Sequence, residues 1–321
     1  MFALIFSVIA FQTAIAEPDV GHAVRAIWLF QAMGSPEALG RDTQLKARVA
    51  KSLAKDGKIS FDEASGLISK ETFMNIAGDD GQMDENEIRN ELDELTPQSR
   101  LKLNQNLRQH ADLLTTQFDM IDEPHRQAGE RLAQWIIAHY KPGQPLHITV
   151  VCTGNSRRSM IGSSMGNLAA AYYGMPEIQF HSGGTAPTAF NKSTIQTLKS
   201  IGFSIEPTGD EAPRGEPQTT NTIYRVGWGQ GLETREFSKQ YADKANPQSG
   251  FAALMVCTEA DAECPLVKGA ALRISMPYLD PKMHDDSAFE AAKYAERRDD
   301  IGRLMLSVMA LSRRELLKSK K

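Results

Sequence analysis

The run Leu146-His147-Ile148-Thr149-Val150-Val151 leads at once into Cys152-Thr153-Gly154-Asn155-Ser156-Arg157-Arg158-Ser159, and no other segment constrains the fold of this chain as strongly. A short apolar run rich in β-branched residues has the composition of a buried strand. The Gly154-Asn155 pair behind it suits a tight turn, because both residues tolerate left-handed backbone. Ser159 then opens a helical stretch. A strand that turns sharply into a helix is the start of a β-α unit, and such units build parallel sheets.

The rest of the C-terminal half follows the same alternation. Strand 146–152 precedes helix 157–172, and Ile178-Gln179-Phe180-His181 supplies a second strand. Helix 191–201, a short strand at 203–206, strands 251–257 and 271–276, and a long helix at about 287–317 complete the series. This order predicts an α/β fold with a parallel sheet covered on both faces. Residues 213–250 interrupt it, and Ile223-Tyr224-Arg225-Val226 with Gly227-Trp228-Gly229-Gln230-Gly231 reads as a hairpin within that insertion.

The N-terminal part reads differently. Residues 1–16 are apolar and end in Ala14-Ile15-Ala16, which resembles a secretory signal peptide, although no Lys or Arg precedes the apolar stretch. Export to a periplasm or the exterior is expected; without such processing the chain would be cytoplasmic. Residues 17–95 have a helical, charged pattern, and residues 96–144 form a helical pair, with Thr96 as N-cap, Pro97 at the first helical position, and a second helix from Pro124 to Tyr140. This pair is expected to pack on the catalytic domain at 145–321.

Two stretches within 17–95 copy the second half of a calcium-binding loop: Asp56-Gly57 with Glu63, and Asp80-Gly81 with Asp84 and Glu87. Their first halves fail. Loop positions one and three are Ser52 and Ala54 in one copy, Ile76 and Gly78 in the other. A hard cation wants six or more oxygens, so the expectation is a helix-loop-helix pair without the ion, and no metal site in the chain.

The charge of −4 over 321 residues gives no basic footprint for nucleic acid, and no apolar run reaches the ~20 residues of a membrane span. Only three cysteines occur, too few for a disulfide scaffold, so their use is expected to be chemical. A monomer is expected.

The turn after the first strand is an oxyanion cradle. Free amides at a helix N-terminus attract anions, so Thr153, Gly154, Asn155, Ser156 and Arg157 are expected to bind one. Arg158 adds a planar fork for two oxygens. The same field should favour the thiolate of Cys152 over the free thiol, whose pKa is ~8.5, and Ser159 can donate to that sulfur. Cys152 is then the nucleophile and Arg158 the clamp.

Cys-Thr-Gly-Asn-Ser-Arg-Arg-Ser resembles the signature of the low-molecular-weight protein tyrosine phosphatase superfamily, and within it the thioredoxin-coupled arsenate reductases most. His181-Ser182-Gly183-Gly184-Thr185 with Asn191, Val256-Cys257 with Cys264-Pro265, and Asp280-Pro281 resemble later landmarks of that branch, over about residues 145–317. The resemblance implies a flavodoxin-like, four-stranded parallel sheet with helices on both faces, carrying an all-helical N-terminal extension. It also implies Asp280 as general acid, with Asp285 and Asp286 as rivals. Arg157 stands where both branches commonly carry a second cysteine, which adds positive charge beside the loop.

For an arsenate reductase the resemblance implies a relay. Cys152 attacks arsenate, Cys257 resolves the adduct, Cys264 takes over the disulfide, and an external thioredoxin-like dithiol reduces it, with no bound cofactor. Seven residues of helix span about 10.5 Å, whereas a disulfide needs Cα atoms within ~7 Å. Residues 258–263, which are short, polar and without large apolar anchors, should therefore bend or unwind. Two other readings stand beside this one. A phosphatase acting on phosphotyrosine or small phosphoesters would need only Cys152, Arg158 and Asp280. A non-catalytic oxyanion-binding or calcium-responsive interaction protein would need no turnover. Zinc held by His181 and the cysteines lacks the usual ligand spacing.

Overall fold

The computed structural model describes residues 49, 51–53, 55–65, 70–95, 97–215, 218–263 and 266–319. The signal-like segment 1–16, residues 17–48, the expected N-cap Thr96 and Cys264 lie outside these residues. Two compact units are present, one containing the chain up to Leu95 with Thr115–Met120, the other Thr96–Leu114 with Ile121–Lys321.

In the smaller unit the two calcium-loop-like stretches pair through a short antiparallel sheet, so the extension is not wholly helical. β1 (Lys58–Ser60) runs beside β2 (Gln82–Asp84), with Ile59 opposite Met83. Both of those side chains are fully buried, among Val49, Leu53, Phe73, Ile76 and Ile88. The helices are α1 (Phe61–Ala64), α2 (Lys70–Ala77) and α3 (Glu85–Leu95). Gly57 and Gly81 take left-handed backbone at φ 73° and 67°.

The carboxylates are occupied by protein groups. Glu63 forms a capping box with Ser60 and accepts from the Ser52 hydroxyl at 2.6 Å, which holds its acidity above the usual carboxylate range. Glu87 accepts from the Asp84 amide at 2.7 Å, Asp56 accepts from the Lys58 amide, and Asp80 pairs with the Lys58 ammonium at 3.0 Å. Among the described residues no cluster of three or more ligating side chains is placed to hold a metal ion.

The larger unit is α/β. β3 (Leu146–Cys152), β4 (Ile178–Gly184), β8 (Phe251–Met255) and β9 (Ala270–Ser275) form a parallel sheet in the order β4-β3-β8-β9. β3 and β8 occupy its centre, and β8 is buried along its whole length, as a central parallel strand must be. The helices of this unit are α4 (Gln105–Thr115), α5 (Glu123–His139), α6 (Arg158–Tyr172), α7 (Lys192–Lys199), α8 (Thr258–Glu263) and α9 (Glu290–Lys318). α6 lies against β3 and β4, and α9 packs on α5, α6 and α7. Close contact explains two helical glycines: a Cβ on Gly162 would stand 2.7 Å from Val150, and one on Gly166 2.4 Å from the Phe180 ring. Among the described residues no helix is long and apolar enough to cross a membrane.

Two sequence expectations fail here. Pro97 does not begin a helix; it caps a 3-10 turn over Gln98–Lys102, and α4 starts only at Gln105. The strand expected at 203–206 is β5 (Ser204–Glu211), and it leaves the parallel sheet. Most of β5 is exposed, so it lacks the two apolar faces that a parallel strand requires. It pairs antiparallel with β6 (Thr222–Gly229), which forms the expected hairpin with β7 (Leu232–Glu236).

Candidate active site

The chain leaves β3 for β4 on one side and later returns to β8 on the other. The C-terminal end of β3 is therefore a topological switch point, the place where open α/β sheets leave a crevice for ligands. Cys152 is the last residue of that strand and Arg158 the first of α6. The strand, turn and helix read from the sequence are thus present, with Asn155 in left-handed backbone at φ 40°.

Hydrogen bonds around the turn can be assigned a direction. The Lys239 backbone N–H donates to Asn155 Oδ1 at 2.8 Å, which leaves Asn155 Nδ2 to donate to Ser159 Oγ at 2.9 Å. Ser159 Oγ is 3.0 Å from Cys152 Sγ. Its oxygen accepts from Asn155, so its single proton is free for the sulfur.

Arg158 is only 7% exposed. Its Nη1 donates to the Tyr278 carbonyl at 2.9 Å and its Nη2 to Asp280 Oδ2 at 2.6 Å, with Glu259 at 4.0 Å. Arg158 Nε is buried and has no hydrogen-bond partner among the described residues. Asp280 also caps the 3-10 turn Pro281–His284, its Oδ1 accepting from the Lys282 amide. Of the three neighbouring aspartates, Asp280 is the one that meets Arg158.

Asp285 has a different partner set. Arg157 donates through Nε to the Tyr294 hydroxyl at 2.6 Å and through Nη2 to Asp285 at 2.7 Å, and Tyr294 donates to Asp285 at 2.7 Å. The Arg157 charge is therefore compensated by Asp285. Asp286 is exposed, with its backbone amide on Glu290.

Cys257 follows β8 at the same end of the sheet, since the Val256 amide donates to the Val151 carbonyl at 2.9 Å. Its sulfur is buried, 3.5 Å from Thr153 Oγ1, and it accepts from the Ala260 amide at 3.4 Å. Burial pushes the Cys257 thiol up; the Thr153 and Ala260 contacts and the Arg158 charge oppose this, and the charge of Cys152 adds to it. Residues 258–263 are not loosely held, as expected from sequence, but form α8. Ala260 is fully buried, and Asp261 grips Arg273 at 2.5 Å and Ser275 at 2.8 Å. The anchor was missed because it is polar.

Sequence reasoning also missed the insertion's part in the site. Ser238 Oγ accepts from the Thr188 amide at 2.9 Å and donates to the Gly154 carbonyl at 3.0 Å. Residues 239–241 extend the sheet beyond β4: the Gly184 amide donates to the Lys239 carbonyl, and the Tyr241 amide to the Gly184 carbonyl. Crowding explains the Gly183-Gly184 pair, because a Cβ on Gly184 would stand 2.5 Å from the Thr153 carbonyl and one on Gly183 2.5 Å from Tyr241 Cα. His181 lies outside this network and meets His147 at 3.0 Å.

Compared with known proteins, the chain matches no family model and no curated protein. Solved structures similar to it include a low-molecular-weight protein tyrosine phosphatase from Bacillus subtilis, at 13% identity and a TM-score of 0.34, over 55% of this chain and 100% of that one. A thioredoxin-dependent arsenate reductase from Corynebacterium glutamicum is similar at 15% identity and a TM-score of 0.29, over 72% of this chain and 86% of that one.

Proposed function

We propose that this chain reduces arsenate through Cys152, with Cys257 and Cys264 as a thiol relay. The observation that carries the reading is the placement of two cysteines at one sheet end: Cys152 at the close of β3, and Cys257 in contact with Thr153, the next residue. The Cys152 thiolate attacks arsenic while Asp280, displaced from Arg158 by the incoming oxyanion, protonates the oxygen that leaves as water. Arg158 and the turn amides hold the remaining oxygens. Cys257 then attacks Cys152 Sγ; the sulfur–arsenic bond breaks, its electron pair stays on arsenic, and arsenite departs from a Cys152–Cys257 disulfide. Cys264 would next attack Cys257, which requires α8 to open, and an external dithiol would reduce the Cys257–Cys264 bond.

The Arg158–Asp280 bond favours a second reading. Cys152, Arg158 and Asp280 are the complete set for a cysteinyl-phosphate mechanism on phosphotyrosine or small phosphoesters, and that mechanism leaves α8 closed. One experiment separates the two. Arsenate turnover with a dithiol system, and p-nitrophenyl phosphate cleavage, are measured for the native chain and for Cys152→Ser, Cys257→Ser and Cys264→Ser. Arsenate reduction lost in all three supports the relay, and ester cleavage lost only in Cys152→Ser supports the phosphatase. Binding of oxyanion with neither activity leaves a binding protein.

A further inference from the structure

We propose that the segment Glu236–Lys239 of the insertion is a positioning element of the Cys152 turn, setting the direction of the hydrogen bond that reaches the sulfur. This rests on the reading of Cys152 as nucleophile and assigns a role to a segment lying more than fifty residues further along the chain.

Polarity is the core of the argument. A carboxamide can be turned either way, and a hydroxyl can donate to either neighbour. A backbone N–H can only donate. The Lys239 amide, 2.8 Å from Asn155, therefore fixes which end of that side chain is oxygen. With Nδ2 turned to Ser159, the Ser159 oxygen is an acceptor and its proton is left for Cys152 Sγ.

The segment is built to keep that amide in place. Lys239 Nζ and Glu236 Oε2 form an ion pair at 3.0 Å with both side chains only 4% exposed, closing the turn over three residues. Ser182 donates to the same carboxylate at 2.7 Å and accepts from Lys239 Nζ at 3.3 Å, which ties the turn to β4. Asn221 grips the Ser238 backbone from both sides, accepting from its amide at 3.0 Å and donating to its carbonyl at 2.7 Å. Ser238 Oγ adds the bond to Gly154. A buried ion pair is weak evidence of stability, because desolvation offsets the attraction. Its effect here is geometric.

The test is the rate of Cys152 alkylation by iodoacetamide, read by mass spectrometry in the full-length Cys257→Ser, Cys264→Ser chain. Hydrogen–deuterium exchange of the turn and the melting temperature are followed in parallel. Ser238→Ala and Asn221→Ala, which leave the sulfur's own contacts in place, are each expected to slow alkylation about fivefold to tenfold and to speed exchange over 153–157, with Ser238→Thr restoring both. Asn155→Asp tests polarity directly. Its carboxylate accepts from Lys239 and from Ser159 alike, drawing the Ser159 proton off the sulfur, so it should slow alkylation about as much as Ser159→Ala. The double variant should then be no slower than either single one, whereas a mere charge effect of the new aspartate would persist without Ser159. Native alkylation rates in Ser238→Ala and Asn221→Ala, or multiplying losses in the double variant, overturn the inference alone. A native Cys152 that reacts no faster than a free thiol removes the nucleophile, and the inference with it.

Discussion

Tyr294→Phe is the sharpest probe of how the acidic loop is fixed beside the Cys152 turn. The Tyr294 ring is fully buried and the substitution keeps it, so only the hydroxyl is lost. That oxygen accepts from Arg157 Nε and donates to Asp285 Oδ1, two hydrogen bonds to charged groups. Such bonds contribute about 1.5–3 kcal/mol each. The full sum is not expected, because Arg157 Nη2 still meets Asp285 and their side chains are 17% and 27% exposed, open to some water. A net loss of ~2 kcal/mol remains. At about 2–4 °C per kcal/mol for a unit of this size, the transition should fall by about 4–8 °C. Urea unfolding followed by tryptophan fluorescence, to which Trp135 and Trp228 of the larger unit contribute, gives the free energy directly. Turnover should fall with it, since Asp285 shares its turn with Asp280. A loss under about 0.5 kcal/mol, the range of ordinary surface changes, would refute the claim that this hydroxyl joins the two loops.

Further outcomes are expected. Gly184→Ala would press a methyl group against the Thr153 carbonyl and the Asn155 amide, at 2.5 and 2.8 Å; overpacking of about 1–3 kcal/mol and a loss of activity out of proportion to it should appear in denaturation and kinetic assays. His181 is pushed down to about 4 by burial and by the His147 and Lys239 charges. The unfolded chain therefore takes up that proton first, and stability should be lost as pH falls from ~6.5 towards 4; His181→Gln should flatten this part of the pH–stability curve. In the smaller unit, Ser52→Ala removes the hydroxyl bound to Glu63 and should cost about 1 kcal/mol or more. Millimolar calcium should not move the native melting curve, and a clear rise on adding it would revive the cation.

Local chemistry made the centre of the site readable from sequence. An apolar β-branched run, a Gly-Asn turn and a helix start determine their own conformations, so Cys152, Asn155, Arg158 and Ser159 fall into place from nearest-neighbour rules. Cys257 was readable because it closely follows a second strand of the same sheet, which ends at Met255. What stayed hidden depends on long-range contact. β5 was expected in the parallel sheet, and only its exposed faces, visible once folded, assign it to the hairpin. The hold on α8 is made by Asp261 with Arg273 and Ser275, polar residues whose spacing carries no signal. Lys239 acts on Asn155 through its backbone amide, which every residue but proline possesses. The calcium-loop likeness shows the reverse problem: Glu63 fits a metal-ligand pattern and a capping box equally well, and the structure shows the box.

The two glycines at 183 and 184 bear on any attempt to trim the protein. A shortened version that rejoined 212 to 251, as the hairpin's remote place in the chain invites, would remove in one stroke the Ser238 bond to the Gly154 carbonyl, the Lys239 amide on the Asn155 carboxamide and the carbonyl that accepts from the Gly184 amide. Water would enter the space beside Gly183 that Tyr241 fills. Such a truncation would take away the setting of Cys152, so a shortened chain meant to test the proposed reaction has to keep residues that look dispensable on paper.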